Sequence, residues 1–213
     1  MLSYLLTAFA AYLLGSIPTG YLVAKAKGID IRSVGSGNIG ATNVFRILGR
    51  QAGVFVLLVD ALKGFLACWL IVNLVRQHIW ANPGFAGREV LEIIAGVSAI
   101  LGHNYTCFLR FKGGKGIATT AGVLIALVPW ALLTVLAIWI LVFAISRYVS
   151  FASITAAFCL PFVVWLLRSS QLMIFITAIL ALLAIYKHTA NIKRLLNGTE
   201  NRIGKKKKAE VAK

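Results

Sequence analysis

The chain has 213 residues, of which 60% are hydrophobic and only 13% are charged, and its formal net charge is +16 at pH 7. A soluble domain of this length usually carries about 25% charged residues. The mean hydropathy is +0.87, and apolar runs long enough to cross a bilayer recur from end to end. The composition therefore excludes an ordinary soluble domain and predicts an all-α integral membrane protein.

The first apolar run covers residues 1–24. It has no Lys or Arg before it and two lysines, Lys25 and Lys27, just after it. This order is the reverse of a secretory signal peptide, so we expect a retained membrane span with its N-terminus outside. Further apolar runs cover 52–75, 89–109, 117–145, 151–167 and 171–186.

The run at 117–145 would form a helix of about 43 Å, longer than the ~30 Å of a hydrocarbon core. Pro129 near its middle favours two short spans that turn near Val128 and Trp130. Splitting the run gives seven spans with the C-terminus in the cytoplasm. It places 18 Lys and Arg residues inside against three outside (Arg76, Arg88 and Arg168), with Lys63 in a span. Six spans would leave a tail with nine Lys and Arg residues outside, against the positive-inside rule. Five spans would require residues 151–187 to cross the membrane only once, which is too long for one span. Seven spans are therefore favoured.

The positive charge follows membrane sidedness rather than one folded face, so nucleic-acid binding is not expected. Lys205 to Lys208 belong to a predicted disordered basic tail, 203–213, that contacts anionic lipid headgroups. Cys68, Cys107 and Cys159 are widely separated in or beside apolar runs. That spacing indicates neither disulfides nor a metal site.

The first polar segment, GSGNIGATNVFRILGR, covers residues 35–50. Glycines allow close backbone approach, small polar side chains supply hydrogen bonds, and an arginine supplies a rigid cationic fork. A glycine-rich loop with ordinary helix caps is the simpler alternative. The density of polar groups favours a binding segment made of Gly35, Ser36, Gly37, Asn38, Thr42, Asn43 and Arg46.

The second segment, FKGGKG, precedes a predicted helix that begins near Ile117. Glycines before a helix N-terminus leave backbone N–H groups for an anion, and two lysines add full charges. The pattern lacks the spacing of a Walker A loop. A basic loop that only fixes topology would not need three glycines, so we predict a phosphate site that includes Lys112, Gly113, Gly114, Lys115 and Gly116.

The third segment covers residues 188–202 and places His188 and Asn191 on one helical face, with Lys193 and Arg194 on the next turn. A lone histidine at the end of a span is more often structural. Its neighbours favour a functional role here, whereas Leu195 and Leu196 are expected to anchor an interfacial helix. Within the spans, Asp60 and Lys63 at i,i+3 should neutralise one another toward the bundle interior. Together the three segments predict a site for a phosphorylated substrate at one membrane face.

The segments GSGNIGATNVFR, GH followed by FKGGKGIAT, and H-x-x-N-I-x-R-L resemble the three signatures of PlsY-type acyl-phosphate:glycerol-3-phosphate acyltransferases. The order and spacing of these segments match over essentially the whole chain. One departure is Thr106, where the family usually carries proline.

The resemblance implies a bacterial inner-membrane enzyme of phospholipid synthesis with a cytoplasmic active site. It would transfer a long acyl chain from acyl phosphate to the 1-hydroxyl of glycerol 3-phosphate, without cofactor or metal. A soluble acyl-phosphate-forming enzyme is a further candidate partner, beside membrane lipid. By resemblance the substrate contacts are Ser36, Arg46, Lys115, His188 and Asn191, with glycine loops 35–38 and 113–116 holding phosphate. Of these, His188, Asn191 and Lys115 are the candidate catalytic residues.

On this view residues 1–187 form a transmembrane acyltransferase domain with site loops at 25–50 and 110–116. Residues 188–202 complete the site. Acyl phosphate has a good leaving group, and we expect no catalytic carboxylate, because Asp30 and Glu200 lie outside the polar clusters and Asp60 lies in a span. The His-x4-Asp motif of another acyltransferase family is absent. An organic-phosphate transporter is the alternative, although transporters usually bind near the midplane between repeated halves.

Overall fold

A computed structural model describes residues 1–78 and 84–204, with side chains outside 84–86. Every regular element in these two ranges is helical, which agrees with the predicted all-α class. The helices are α1 (Leu2–Ser16), α2 (Thr19–Lys25), α3 (Ala41–Leu48), α4 (Arg50–Leu66), α5 (Val72–His78), α6 (Gly84–Asn104), α7 (Ile117–Leu127), α8 (Pro129–Ser146), α9 (Val149–Leu166), α10 (Gln171–Lys187) and α11 (Thr189–Leu196). A π-helical turn, Ala67–Ile71, joins α4 to α5, and a 3₁₀ turn, Cys107–Leu109, follows α6.

Five segments in the described ranges are long and apolar enough to span a membrane: Leu2–Lys25, Arg50–His78, Gly87–Leu109, Pro129–Ser146 and Val149–Leu166. Helices α10 and α11 together count as a sixth segment, bent by 57°. Helix α7 is apolar but has only 11 residues. A multi-pass membrane protein is therefore confirmed, whereas the number of seven spans stays a prediction.

The predicted break within 117–145 is confirmed. Helix α7 ends at Leu127 and α8 begins at Pro129, with Val128 between them in a non-helical conformation. Proline at the first position of a helix loses no hydrogen bond, because that N–H group would have no partner in the helix.

A second break, at Ile17 and Pro18, separates α1 from α2 and leaves carbonyl groups without helical partners. The ammonium group of Lys63 donates to the Ile17 carbonyl at 2.8 Å and pairs with Asp60, also at 2.8 Å. Thr19 donates its hydroxyl to the same Asp60 oxygen at 3.1 Å. The predicted Asp60–Lys63 pair is thus confirmed, and it also joins the broken helix to α4.

The unusual threonine at position 106 has a structural reason. Its buried hydroxyl donates to the Ser16 carbonyl at 2.6 Å and accepts the N–H of Phe108 at 3.3 Å. Proline has no hydroxyl to make either contact. Thr106 therefore satisfies the other carbonyl at the α1–α2 break and joins α1 to the loop after α6.

Helices α4 and α7 approach closely because glycine stands at their crossing. A Cβ atom at Gly122 would lie 1.7 Å from the carbonyl oxygen of Ala61. Small residues of this kind let helices pack tightly in membranes, where the hydrophobic effect does not drive helix association. The contact places the N-terminal half of α7 beside the buried Asp60–Lys63 pair.

The loops at one end of the bundle form an ordered layer over the helix ends. Ile31, Ile39, Val44, Val56 and Leu109 pack there as one buried cluster. We call this end of the molecule the site end. The backbone N–H of Ile203 donates to the Arg147 carbonyl at 3.0 Å, so residues 203 and 204 pack here, whereas the rest of the predicted tail lies outside the described residues.

Candidate functional site

A cavity of about 300 Å³ opens at the site end, and side chains from all three predicted polar segments line it. We call it the polar pocket. The predicted residues that line it are Ser36, Asn38, Thr42, Asn43, Arg46, Lys115, Gly116, His188, Asn191 and Arg194. Six other predicted residues do not line it: Gly35, Gly37, Lys112, Gly113, Gly114 and Lys193.

The first segment presents the N-terminus of α3 and one free arginine. Asn43 holds the loop, since its side-chain oxygen accepts the Ser36 N–H at 2.9 Å and its amide donates to the carbonyls of Ile31 and Val34. Gly35 and Gly37 turn this loop through positive φ values. Arg46, one turn along α3, makes no hydrogen bond or ion pair within the described ranges and is available to a ligand.

The second segment differs from the prediction in one respect. Gly113 donates its N–H to the Asn104 carbonyl at 3.2 Å, and Gly114 donates to the His103 carbonyl at 3.0 Å. The expectation that these two N–H groups hold phosphate is therefore wrong for this structure. These glycines allow close packing instead, because a Cβ atom at Gly114 would lie 2.1 Å from Nε2 of His103.

The anion-binding feature of this segment lies two residues further on. Lys115, Gly116, Ile117 and Ala118 line the polar pocket where α7 begins. The first N–H groups of a helix have no helical partners, and the helix dipole favours negative charge there. Lys112, by contrast, is exposed.

A chain of hydrogen bonds joins the second and third segments. The Lys115 ammonium donates to the side-chain oxygen of Asn191, whose amide donates to Glu200 Oε1 at 2.8 Å. Arg194 donates to Glu200 Oε2 at 2.6 Å, and Ser150 donates its hydroxyl to Oε1 at 3.0 Å. The expectation that Glu200 lies outside the polar clusters is therefore wrong.

The pocket carries three cationic side chains, Arg46, Lys115 and Arg194, against two carboxylates: Glu200 in the same network, and Asp60, whose charge Lys63 neutralises. Burial lowers the pKa of Lys115 from 10.5 to about 8, although Glu200 opposes the change. Burial by itself would raise the pKa of Glu200, but the hydrogen bonds from Asn191, Arg194 and Ser150 hold it below its ordinary value. The empty pocket thus has an excess of positive charge that an anion would neutralise.

His188 lies at the turn between α10 and α11 and is 3% exposed. Its Nδ1 lies 2.7 Å from the Ala184 carbonyl, which can only accept, so Nδ1 carries the proton. Burial, followed by the charge of Lys115, lowers the pKa of His188 to about 4. The ring is therefore neutral at pH 7, and Nε2 is an acceptor suited to a ligand hydroxyl.

Asp60 and His103 also line the polar pocket, and both are buried. His103 Nδ1 lies 3.6 Å from Asp60 Oδ1, which is too long for a hydrogen bond. The sequence places Asp60 within a span, as the structure does, but nothing in the sequence indicates that it faces the site. Sequence reasoning also missed His103, Ser150 and Asn201.

A second, apolar cavity of about 100 Å³ lies between α7, α8, α9 and α10. It shares five lining residues with the polar pocket: Ile117, Ala121, Leu136, Trp139 and Ser153. Trp139 is fixed at the junction, since its indole donates to Ser153 at 3.0 Å. The two cavities therefore meet, and an amphipathic ligand with an anionic head fits the pair.

Fold and site together define a multi-pass membrane protein with an anion pocket beside an apolar cavity. A family model described as glycerol-3-phosphate acyltransferase matches residues 5–198. The chain belongs to this family.

Relatives and solved structures agree with the family assignment. A glycerol-3-phosphate acyltransferase of Geotalea daltonii is 49% identical over 94% of this chain and 98% of its own length. A glycerol-3-phosphate acyltransferase of Geobacter sulfurreducens is 47% identical over 95% of this chain and 98% of its own length. The crystal structure of PlsY, an integral membrane glycerol 3-phosphate acyltransferase, in its glycerol 3-phosphate form is similar with a TM-score of 0.84 and 41% identity. The match covers 95% of this chain and 96% of that one.

The depressed pKa of Lys115 predicts a pH-dependent affinity for anions. We expect the ammonium form to bind a phosphate, and in the empty pocket it loses its proton as the pH rises through about 8. The dissociation constant for a phosphate monoester should therefore be nearly flat from pH 7 to 8 and rise above it, by up to about tenfold per pH unit. Calorimetric titration of detergent-solubilised protein from pH 7 to 9.5 measures this.

Lys115→Arg is the control for this titration, because an arginine stays charged over the whole range. Its binding curve should show no rise near pH 8. The ligand stays a dianion above pH 7, since its second pKa is about 6. A wild-type affinity that stays constant up to pH 9.5 would contradict a lysine of lowered pKa at the anion site.

Proposed function

We propose that the protein transfers an acyl chain from acyl phosphate to the 1-hydroxyl of glycerol 3-phosphate. The products are 1-acylglycerol 3-phosphate and inorganic phosphate. The observation that carries the proposal is the meeting of a cationic pocket with an apolar cavity at Trp139. The solved PlsY structures in glycerol 3-phosphate and lysophosphatidic acid forms support the acceptor and the product.

Both substrates carry a phosphate, and the pocket offers matching groups. The N-termini of α3 and α7 and the side chains of Arg46, Lys115 and Arg194 provide donors and positive charge. The acyl chain would enter the apolar cavity past Ile117, which places its carbonyl where the two cavities join. His188 Nε2 and Asn191 are positioned to orient the glycerol hydroxyl groups.

In the proposed step the 1-hydroxyl oxygen attacks the acyl carbonyl carbon. The bond from that carbon to the bridging phosphate oxygen breaks. The hydroxyl proton passes to a phosphate oxygen, so the leaving group departs as hydrogen phosphate and the charges balance. No oxidant or further reactant is needed.

Detergent-solubilised protein tests the function directly. Given acyl phosphate and glycerol 3-phosphate, it should release phosphate and form 1-acylglycerol 3-phosphate, with acyl-CoA and acyl-carrier protein offered as competing donors. A transporter needs two compartments and would release no phosphate here. Product formed from acyl-CoA alone would reject acyl phosphate as the donor, and no product from any donor would reject acyl transfer.

We further propose seven crossings, with the N-terminus outside and the site facing the cytoplasm of a bacterial inner membrane. The loops before α3, before α7 and after α10 all line one pocket, which puts them at the same end of the molecule. Contacts such as that between Ser170 and Glu89 support the grouping of loops at the opposite end. The basic loops gather at the site end, which the positive-inside rule places in the cytoplasm. Acyl phosphate would then come from a soluble enzyme on that side.

Cysteine labelling tests this topology. In a variant without native cysteines, a cysteine at Trp130 should react with an impermeant thiol reagent from outside in intact cells. A cysteine at Gly198 should react only after permeabilisation. Labelling at position 130 solely from the cytoplasmic side would contradict the crossing of α7 and α8.

His188 is expected to orient the acceptor rather than remove its proton. A general base typically contributes about 10²- to 10⁴-fold, but a ring with a pKa of about 4 is a weak base at pH 7. His188→Gln should therefore raise KM for glycerol 3-phosphate and retain partial turnover. Its pH–rate profile should keep the wild-type acidic limb, because His188 protonates only near pH 4.

Steady-state kinetics over pH 5 to 9 measure both effects. Asn191→Asp is the companion variant, since it removes the amide donor that is proposed to orient the glycerol hydroxyl groups together with His188. A folded His188→Gln protein that binds glycerol 3-phosphate with wild-type affinity but has no turnover would make His188 the base.

A further inference from the structure

The last turn of α6 holds two of the three segments that form the site. The carbonyl oxygen of Asn104 accepts the Gly113 N–H at 3.2 Å and the Lys187 ammonium at 3.1 Å. Gly113 begins the stretch that leads to Lys115, and Lys187 directly precedes His188. One backbone oxygen is therefore bound by both the loop of Lys115 and the α10–α11 turn.

A second contact holds the Lys187 side chain in this position. Its ammonium lies 4.3 Å from the centroid of the Tyr105 ring, a cation–π distance. The Tyr105 carbonyl in turn accepts the hydroxyl of Tyr12 in α1 at 2.7 Å. Lys187 itself is half-buried and does not line the polar pocket.

The platform beneath this contact is also fixed from the other side. Gly114 donates to the His103 carbonyl, and the His103 ring lies beside Asp60, which Lys63 and Thr19 hold. The end of α6 is therefore packed beside α2 and α4 and hydrogen-bonded to α1. A side chain that binds the end of α6 is therefore held in a fixed position relative to these neighbouring helices.

We propose that Lys187 is a positioning residue: through the Asn104 carbonyl it fixes His188 and Asn191 at the distance from Lys115 that the reaction requires. The direct hydrogen bond between Lys115 and Asn191 uses a group that is itself proposed to bind the phosphate. The Lys187 contact does not involve a substrate-binding group. It therefore holds the Lys115 loop and the α10–α11 turn at a fixed distance from each other while the substrate is bound.

The inference rests on the proposed acyl transfer, and kinetics of single variants test it. Lys187→Met nearly keeps the length of the side chain but removes the donor. Because the reacting groups would be misplaced, kcat/KM should fall roughly 10- to 100-fold, with a lower kcat as well as a higher KM. Lys187→Arg should restore activity to within about threefold of wild type, because it can donate to the same carbonyl.

Lys27→Met is the matched control, since Lys27 is an exposed lysine at the site end with no partner in the described ranges. Loss of a long-range charge alone would affect both methionine variants, mainly in KM, and would vanish near 1 M salt, where the Debye length is about 3 Å. Equal kinetics for Lys187→Met and Lys27→Met would overturn the proposal.

The double variant Lys187→Met with Lys115→Ala gives a second measurement, which a general loss of stability would not change. If Lys187 acts by positioning partners relative to Lys115, its removal should cost little once Lys115→Ala has been made. The loss in the double variant should then fall well below the product of the single losses. Independent, multiplicative losses would overturn the proposal.

If Lys187→Met does not fold, Tyr105→Leu decides, because it removes only the ring beneath the ammonium. A fall in kcat/KM of about threefold or more supports the proposal, and a change within about twofold overturns it. Absence of phosphate release by the wild-type protein would refute the proposed function itself. An active wild type with a fully active Lys187→Met variant would refute the positioning role alone.

Discussion

The buried ion pair between Lys63 and Asp60 is the constraint on which the rest of the structure depends. Lipid offers no hydrogen-bond partners, so the helix broken at Pro18 needs donors from the protein for its free carbonyls. Lys63 supplies one to Ile17, and Asp60 neutralises Lys63 and accepts from Thr19. Removing one partner of such a pair leaves a buried charge, which typically costs about 3–5 kcal/mol. Asp60 also lines the polar pocket, so stability and site geometry share this residue.

The site belongs to no single element. Arg46 comes from α3, Lys115 from the loop before α7, His188 from the α10–α11 turn, and Asn191 and Arg194 from α11. Each element is held by hydrogen bonds within the protein: Asn43 fixes the first loop, and the end of α6 fixes the other two. Substrate-binding side chains are thereby left with free donors. Burial of Lys115 costs free energy in the empty pocket, and a bound phosphate would recover it.

The sequence was sufficient for the parts that local rules determine. Proline at position 129 predicted the break between α7 and α8, the i,i+3 spacing predicted the Asp60–Lys63 pair, and the three polar segments proved to line one pocket. It was insufficient where tertiary contacts decide. Glu200 reaches Asn191 because Gly198, with φ of 68°, turns the chain back after α11. Gly113 and Gly114 donate to α6, which no pattern around them reveals.

The state of each ionisable group near the proposed reaction explains why acyl phosphate suits this site. Glu200 accepts hydrogen bonds from three side chains, and Asp60 is paired with Lys63, so neither carboxylate is free to take a proton. His188 has a pKa of about 4 and its proton on Nδ1. A donor whose leaving group is itself a phosphate brings a proton acceptor into the pocket. In the proposed mechanism the protein then has only to orient the hydroxyl and to stabilise negative charge, for which its cationic side chains and helix N-termini are suited.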